Sequence, residues 1–155
     1  MSLTPASDSL RAEHRRIEAY LDQLLAAVHQ ISEARLAGLR ECSQAIGRLA
    51  AVHFRREEQV LFPRLRQAFP ELPARMEEQH EYARQIERSL DEMLAPGVPL
   101  DAERMAELRR FGLEFHAALQ HHIIEEEDYL LRLADSELSE AEQQALADAM
   151  GEVAG

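Results

Sequence analysis

Apolar residues recur every three or four positions in four long stretches of this 155-residue sequence. This spacing places the apolar residues of each stretch on one face of an α-helix. Leu, Ala, Glu and Arg are abundant, aromatic residues make up 5% and Trp is absent, so the composition also favours helix over strand. The sequence therefore predicts an all-α fold in which four apolar faces pack against one another.

Breaker residues separate these stretches and set the expected helix limits. Thr4-Pro5 is a favourable helix start, and Pro63 is expected to kink or close the second helix. Because the connections are short, neighbouring helices are predicted to run antiparallel in an up-down-up-down four-helix bundle. We expect the four helices at about residues 5–30, 32–63, 73–94 and 101–133.

A capping box predicts a short fifth helix. In Ser139-Glu-Ala-Glu142 the Ser side chain can cap the helix while the Glu side chain reaches back. The chain length suits one domain. We expect a single domain over residues 1–155, with the bundle at about 5–133 and the C-terminal helix at about 139–150.

The net charge argues against two classes of partner. The formal charge is −12, and Lys and Arg are not concentrated anywhere, so neither nucleic acid nor an anionic membrane is an expected partner. The apolar runs are short, and the first residues lack both a basic region and an apolar stretch. We therefore expect no signal peptide and no membrane span, and a cytoplasmic location.

Six ionisable residues occupy positions on the apolar stripes. In the first helix His14 follows Leu10 by four residues, and in the fourth helix His122 and Glu126 continue the spacing of Leu119. An ionisable group at a core position costs free energy unless something pairs with it. The six residues are His14, His53, Glu57, His80, His122 and Glu126.

The second and fourth helices carry the same motif. His53-Phe-Arg-Arg-Glu57 and His122-Ile-Ile-Glu-Glu126 each place a His and a Glu about one turn apart on one helix face. Such a pair can reach one metal centre, and its repetition predicts a pseudo-two-fold site for two metals. The single histidines of the first and third helices lie early in those helices, so antiparallel packing brings all six side chains into one layer near one end of the bundle.

The chemistry of the six residues favours a metal site. A single buried His is usually a hydrogen-bonded core residue, but four imidazoles and two carboxylates in one dry layer are strongly destabilising without a cation. Cys42 is the only cysteine, which excludes an internal disulfide and a site built on thiolates. Neutral imidazole with carboxylate suits Fe, Mn or Zn.

The order of these motifs resembles the hemerythrin-like, or HHE cation-binding, domain family over residues 8–133. Each of the four predicted helices carries one element of the pattern, in the order His, His-x3-Glu, His, His-x3-Glu. In the second helix, the segment His53-Phe-Arg-Arg-Glu-Glu-Gln-Val-Leu-Phe-Pro63 is similar to the family's second-helix signature. The resemblance implies a four-helix bundle with two iron ions joined by an oxo or hydroxo bridge. The implied ligands are Glu57 and Glu126, which bridge the ions, and His14, His53, His80 and His122, which are terminal.

The sequence differs from oxygen-carrying hemerythrins at two places. Those proteins have a second His on the third helix where this chain has Arg84, and a carboxylate five residues after the fourth-helix His, where this chain has Glu127 after Glu126. Four His ligands instead of five leave about two coordination positions open on two octahedral ions. Such a centre is expected to be accessible to dioxygen, peroxide or nitric oxide, and the four-His pattern is similar to that of the family's iron–sulfur-repair and stress-response members.

We therefore expect a non-haem di-iron protein that binds or reacts with a small oxidant, in stress response or iron-centre repair. The alternative is an iron reservoir or sensor, not an enzyme, whose metal occupancy controls stability or partner binding. A purely structural bundle is the third interpretation, and the question of enzyme activity is left open.

Tyr129 is expected to be a core aromatic or a donor near the metal. Glu58, Glu125, Glu127 and Asp128 are expected to form a solvated face, with Glu58 or Glu127 replacing its neighbour as a ligand if a helix rotates.

Overall fold

The computed structural model of the chain describes residues 4–153, which form five continuous helices and no strand. The all-α prediction is thus confirmed for the described residues, and residues 1–3 and 154–155 of the predicted domain lie outside them. Within residues 4–153, no helix has the length and hydropathy needed to cross a bilayer. We number the helices α1 (Ala6–Val28), α2 (Leu36–Arg56, Glu57–Leu61 and Phe62–Arg66), α3 (Glu71–Met93), α4 (Ala102–Glu125, Glu126–Leu130 and Leu131–Glu137) and α5 (Glu140–Gly151).

The helix starts follow the local sequence closely. The Asp101 carboxylate accepts a hydrogen bond from the Arg104 backbone N–H at 2.8 Å and caps α4. The predicted capping box begins α5, with Ser139 Oγ accepting from the Glu142 N–H at 3.1 Å. Two predicted ends were too early, because α2 continues past Pro63 to Arg66 and α4 continues to Glu137.

The four long helices form a bundle in which α1 and α3 each pack against both α2 and α4. Two apolar clusters fill its interior. The larger one includes Leu21, Ile46, Leu90 and Phe115, which are at most 1% exposed. The smaller one lies at the other end and includes Leu10, Leu61, Phe62, Met76 and Leu130, with Ala147 and Met150 of α5 covering it from outside. The short α5 therefore completes the smaller cluster.

Both α2 and α4 contain one π-helical turn, at Glu57–Leu61 and Glu126–Leu130. In each turn a backbone N–H bonds five residues back, Phe62 to Glu57 and Leu131 to Glu126, in place of the usual four. Pro63 follows the first turn, but Arg132 occupies the equivalent position after the second. The π turn therefore accompanies the repeated His-x3-Glu motif and does not require proline.

The π turns shift the buried face of each helix by one residue. After Glu126, the buried residues of the helix are Leu130, Leu131 and Ala134, while Tyr129 is 55% exposed. The prediction that Tyr129 is a core aromatic or a donor near the metal was therefore wrong. A regular α-helix would have placed position 129 inward, but the extra residue in the π turn rotates it to the surface.

Candidate metal centre

The structure brings all six predicted residues together in one layer between the two apolar clusters. Leu10 and Ile17 show this arrangement on α1, since they belong to different clusters and His14 lies between them. Each of the six residues is at most 1% exposed. The contributors are His14 from α1, His53 and Glu57 from α2, His80 from α3, and His122 and Glu126 from α4.

Ligand atoms in the layer form two overlapping groups. In the first group, His14 Nε2 lies 3.0 Å from His53 Nε2 and 2.9 Å from Glu126 Oε1. In the second, His80 Nε2 lies 3.2 Å from His122 Nε2 and 3.2 Å from Glu57 Oε1. The atoms of each group lie within 4.8 Å of one another, and both groups contain Glu57 and Glu126. Two ions held side by side would therefore share both carboxylates.

Glu126 divides its two oxygens between the groups. Its Oε1 faces His14 and His53, at 2.9 and 3.4 Å from their Nε2 atoms, while its Oε2 lies 3.2 Å from His122 Nε2. Glu57 Oε1 lies 3.1 Å from His53 Nε2 and 3.2 Å from His80 Nε2, so this carboxylate also lies between the two groups. This placement is the geometry expected of a bridging carboxylate.

The carboxylates of the layer have unused acceptor atoms. Both oxygens of Glu57 and Oε2 of Glu126 are buried and accept no hydrogen bond, although imidazole nitrogens lie close to them. Burial and the neighbouring Glu126 raise the pKa of Glu57 well above 4.5, because two carboxylates in a dry layer cannot both ionise at low cost. A cation among these oxygens removes that cost, so the residues present fit a bound metal.

Each of the four imidazoles turns Nε2 toward the centre and uses Nδ1 in a hydrogen bond to another helix. Such outward bonds fix the tautomer and orientation of a metal-binding imidazole. His14 donates to Glu127 at 2.7 Å, and His80 donates to Glu58 at 2.7 Å. His53 donates to Glu13 at 2.9 Å, and His122 donates to Gln79 at 2.8 Å.

His80 is prepared as a neutral ligand by its surroundings. Burial lowers its pKa to about 4, so its Nε2 lone pair is available at neutral pH. Phe54 stacks on the ring with 3.8 Å between centroids. Although burial opposes ionisation of Glu58, its hydrogen bonds with His80 and Arg84 outweigh that effect and lower the pKa of Glu58 to about 2. Arg84, which replaces the additional His of oxygen carriers, donates to Glu58 at 2.8 Å and so supports His80 indirectly.

The prediction that the remaining acidic residues form a solvated face was only partly correct. Asp128 is exposed, but Glu58 and Glu127 bond the ligand-like imidazoles and Glu125 is 8% exposed. Glu13 and Gln79 were not predicted at all. Each precedes a buried His directly in the sequence, and that adjacency is the one signal that could have identified them.

Fold and site together define a helical bundle with a buried layer of imidazoles and carboxylates suited to metal cations. The sequence matches the Hemerythrin HHE cation binding domain over residues 6–134, and the chain belongs to this hemerythrin family. A comparison with curated proteins finds no match. The family resemblance noted from the motifs is thus confirmed, and cation binding is the function that the family implies. Helix α5, at Glu140–Gly151, lies outside the matched residues.

Proposed function

We propose that this chain binds two iron ions and that the pair binds or reacts with a small oxidant such as dioxygen, peroxide or nitric oxide. The proposed ligands are His14, His53, Glu57, His80, His122 and Glu126. The observation that carries the proposal is the group of buried carboxylate oxygens on Glu57 and Glu126 that accept no hydrogen bond and face four imidazole nitrogens. Two cations would compensate both carboxylates at once.

The donor set supports iron and a count of two. Imidazole with carboxylate, in the absence of thiolate, suits Fe, Mn or Zn, and the hemerythrin-like pattern favours iron among them. Glu57 and Glu126 belong to both groups of ligand atoms, which supports two bridged ions over one. When bound, two iron ions supply redox chemistry and about two open coordination positions. Stress response or iron-centre repair is the setting that we propose for this activity.

Burial of the centre supports a small ligand. The Phe54 ring centroid lies 3.8 Å from that of His80, 5.7 Å from that of His122 and 6.1 Å from that of His53, so an apolar ring closes one side of the layer. The Phe62 ring also lies against His80, with 5.6 Å between the two ring centroids. Such packing excludes bulk water and large substrates, whereas a diatomic molecule or peroxide needs little space. The chain's own role is to hold the four imidazoles oriented, with each Nε2 toward the centre and each Nδ1 in a hydrogen bond.

The proposed site is consistent with up-down-up-down order of α1 to α4. Early residues of α1 and α3 meet late residues of α2 and α4, which is what antiparallel neighbours produce. We also propose that the five helices form a single domain.

The alternative function is an iron reservoir or sensor. It is favoured by the same uncompensated carboxylates, because a bundle that buries them gains stability whenever metal is bound. In that case occupancy of the centre would control stability or partner binding without any reaction of an oxidant.

Metal analysis of the full chain tests the proposal, after growth with added iron and together with a near-ultraviolet and visible spectrum. We expect about two irons per chain, with charge-transfer bands that change on addition of dioxygen, hydrogen peroxide or nitric oxide. The double substitution His53→Leu/Glu57→Leu should abolish both, and His29→Leu at the exposed end of α1 should change neither.

Two outcomes would decide against parts of the proposal. Zinc or no metal in the wild-type protein would reject the di-iron centre. Two irons whose spectrum responds to none of the three oxidants would reject the reactive role and leave the reservoir or sensor.

A further inference from the structure

The site has an internal repeat that relates its two halves. His14 corresponds to His80, His53 to His122, Glu57 to Glu126 and Glu58 to Glu127. One pair of outward hydrogen bonds obeys this symmetry, since Glu127 accepts from His14 and Glu58 accepts from His80, both at 2.7 Å. The two halves are therefore alike in their six proposed ligands and in these two supporting carboxylates.

The other pair of outward hydrogen bonds breaks the symmetry. His53 Nδ1 donates to the carboxylate of Glu13 at 2.9 Å, whereas His122 Nδ1 donates to the amide oxygen of Gln79 at 2.8 Å. Glu13 and Gln79 occupy equivalent positions, each one residue before the single His of its helix. A carboxylate in one half is thus replaced by a neutral amide in the other.

The residues that bond Glu13 and Gln79 also differ between the two halves. Glu13 is paired with Arg56, which also donates to the Met150 carbonyl at 3.1 Å. Gln79 donates its amide N–H to Glu125, and Glu125 in turn pairs with Arg75. Arg56 and Glu125 are equivalent in the repeat, each three residues after the His of its motif. The bond to Glu125 also orients the Gln79 amide, so its oxygen must face His122.

From this broken repeat we infer that the two metal positions are unequal, with the tighter one between His14 and His53. A carboxylate that accepts from Nδ1–H makes the imidazole a stronger electron donor to a cation, and an amide does so less. The position between His80 and His122 is then the weaker one, which fills last and releases its ion first. Glu13 and Gln79 act as positioning residues for divalent cations, and the inference rests on the proposed two-metal function.

Stepwise binding of Fe²⁺ to the metal-free full chain, measured anaerobically by calorimetry, tests the inequality. We expect two steps in the wild-type protein that differ about tenfold or more in affinity, the range found when an outward partner of a metal-bound His is changed. Release of the ions to a chelator should likewise show two phases.

Two double substitutions that preserve net charge exchange the supporting groups. Gln79→Glu/Glu125→Gln should tighten the weaker step about tenfold and bring it close to the other step. Glu13→Gln/Arg56→Gln should weaken the tighter step by a similar factor, with Arg56→Gln alone as its control. In ⁵⁷Fe-loaded protein, two distinct Mössbauer signals should become more alike in the first variant. Circular dichroism of the metal-free variants confirms that each one is folded.

The outcomes separate this inference from the function on which it rests. Two ions that bind the wild-type protein with equal affinity would overturn the inference alone, as would a weaker step that Gln79→Glu/Glu125→Gln leaves unchanged in a folded protein. Binding of fewer than two ions to the wild-type protein would overturn the two-metal proposal and the inference together.

Discussion

The larger apolar cluster and the layer of His and Glu residues are buried to the same extent but have opposite energetic effects. Leu21, Ile46 and Leu90 have no exposed surface, and neither do Glu57 and Glu126. Burying these three apolar side chains stabilises the fold, by about 25 cal/mol for each Å² of apolar surface removed from water. Burying the carboxylates costs free energy until a cation compensates them. The chemistry of the buried side chains therefore distinguishes the two regions. Apolar side chains form a core, whereas buried carboxylates and imidazoles form a candidate binding site.

The largest expected effect is on the layer, through metal loading. At free metal about a thousandfold above Kd, each ion adds about 4 kcal/mol of stability. Two ions together should raise the melting temperature by roughly 15–30 °C. Thermal unfolding followed by circular dichroism with and without metal measures this shift. The variant His53→Leu/Glu57→Leu should show no shift. Equal melting temperatures of the wild-type protein with and without metal would contradict the claim that a cation compensates the buried carboxylates.

A substitution in the apolar cluster should act equally on both forms. Phe115 is 1% exposed, and Phe115→Ala is expected to lower the free energy of unfolding by about 4 kcal/mol because it removes packed surface and leaves a cavity. Urea unfolding of the metal-free and metal-loaded proteins should give similar losses. A loss that appears only in the loaded form would show that the cluster and the layer are not independent.

Acid should weaken the layer of the metal-free protein through His80. Its pKa is lowered by burial to about 4 from 6.5, so between these values the unfolded chain binds a proton that the folded chain does not. This residue's contribution is unchanged above pH 6.5 and falls by about 3 kcal/mol as pH decreases to 4.

Comparison with His80→Leu isolates that effect. The comparison is needed because titration of His53 changes the free energy of unfolding with pH in the opposite direction. Burial opposes protonation of His53, but the charge of Glu57 and hydrogen bonds to Glu126, Glu13 and Glu57 together outweigh burial and raise the pKa of His53 well above 6.5. Urea unfolding at several pH values between 4 and 7 should show a stability difference between wild type and variant that changes with pH. A constant difference would contradict the assigned role of burial.

The smallest effect is expected at Tyr129, next to the layer in sequence but outside it in space. Because its side chain is 55% exposed, Tyr129→Phe should change the free energy of unfolding by less than about 0.5 kcal/mol. It should also leave the spectrum of the iron-loaded protein unchanged. A clear spectral change would place the phenol close to the metals after all.

The helices and the six residues of the layer could be predicted because one periodicity governs both. Apolar stripes identify the buried face of each helix, and His14 or Glu126 is recognised as an ionisable residue on that face. The identity of the metal, the reaction, the small-molecule partner and the cytoplasmic location stay predictions. They depend on chemistry that helical spacing does not encode.

The supporting residues could not be predicted from periodicity. Glu58 and Glu127 lie five residues after a His, inside the π turns, and each is half-buried against an imidazole of a neighbouring helix. Glu13 and Gln79 lie at the sides of their helices, and their contacts to His53 and His122 depend on how neighbouring helices are rotated. That rotation is a tertiary property, decided by packing and not by the sequence of one helix.

The position of α5 also has a consequence for the order in which the site is assembled during synthesis. Glu126 is the last of the six proposed ligands along the chain, and α5 begins at Glu140. All six residues therefore leave the ribosome before the helix that brings Ala147 and Met150 onto the smaller apolar cluster. The smaller cluster is thus completed only by residues that are synthesised after the whole set of proposed ligands.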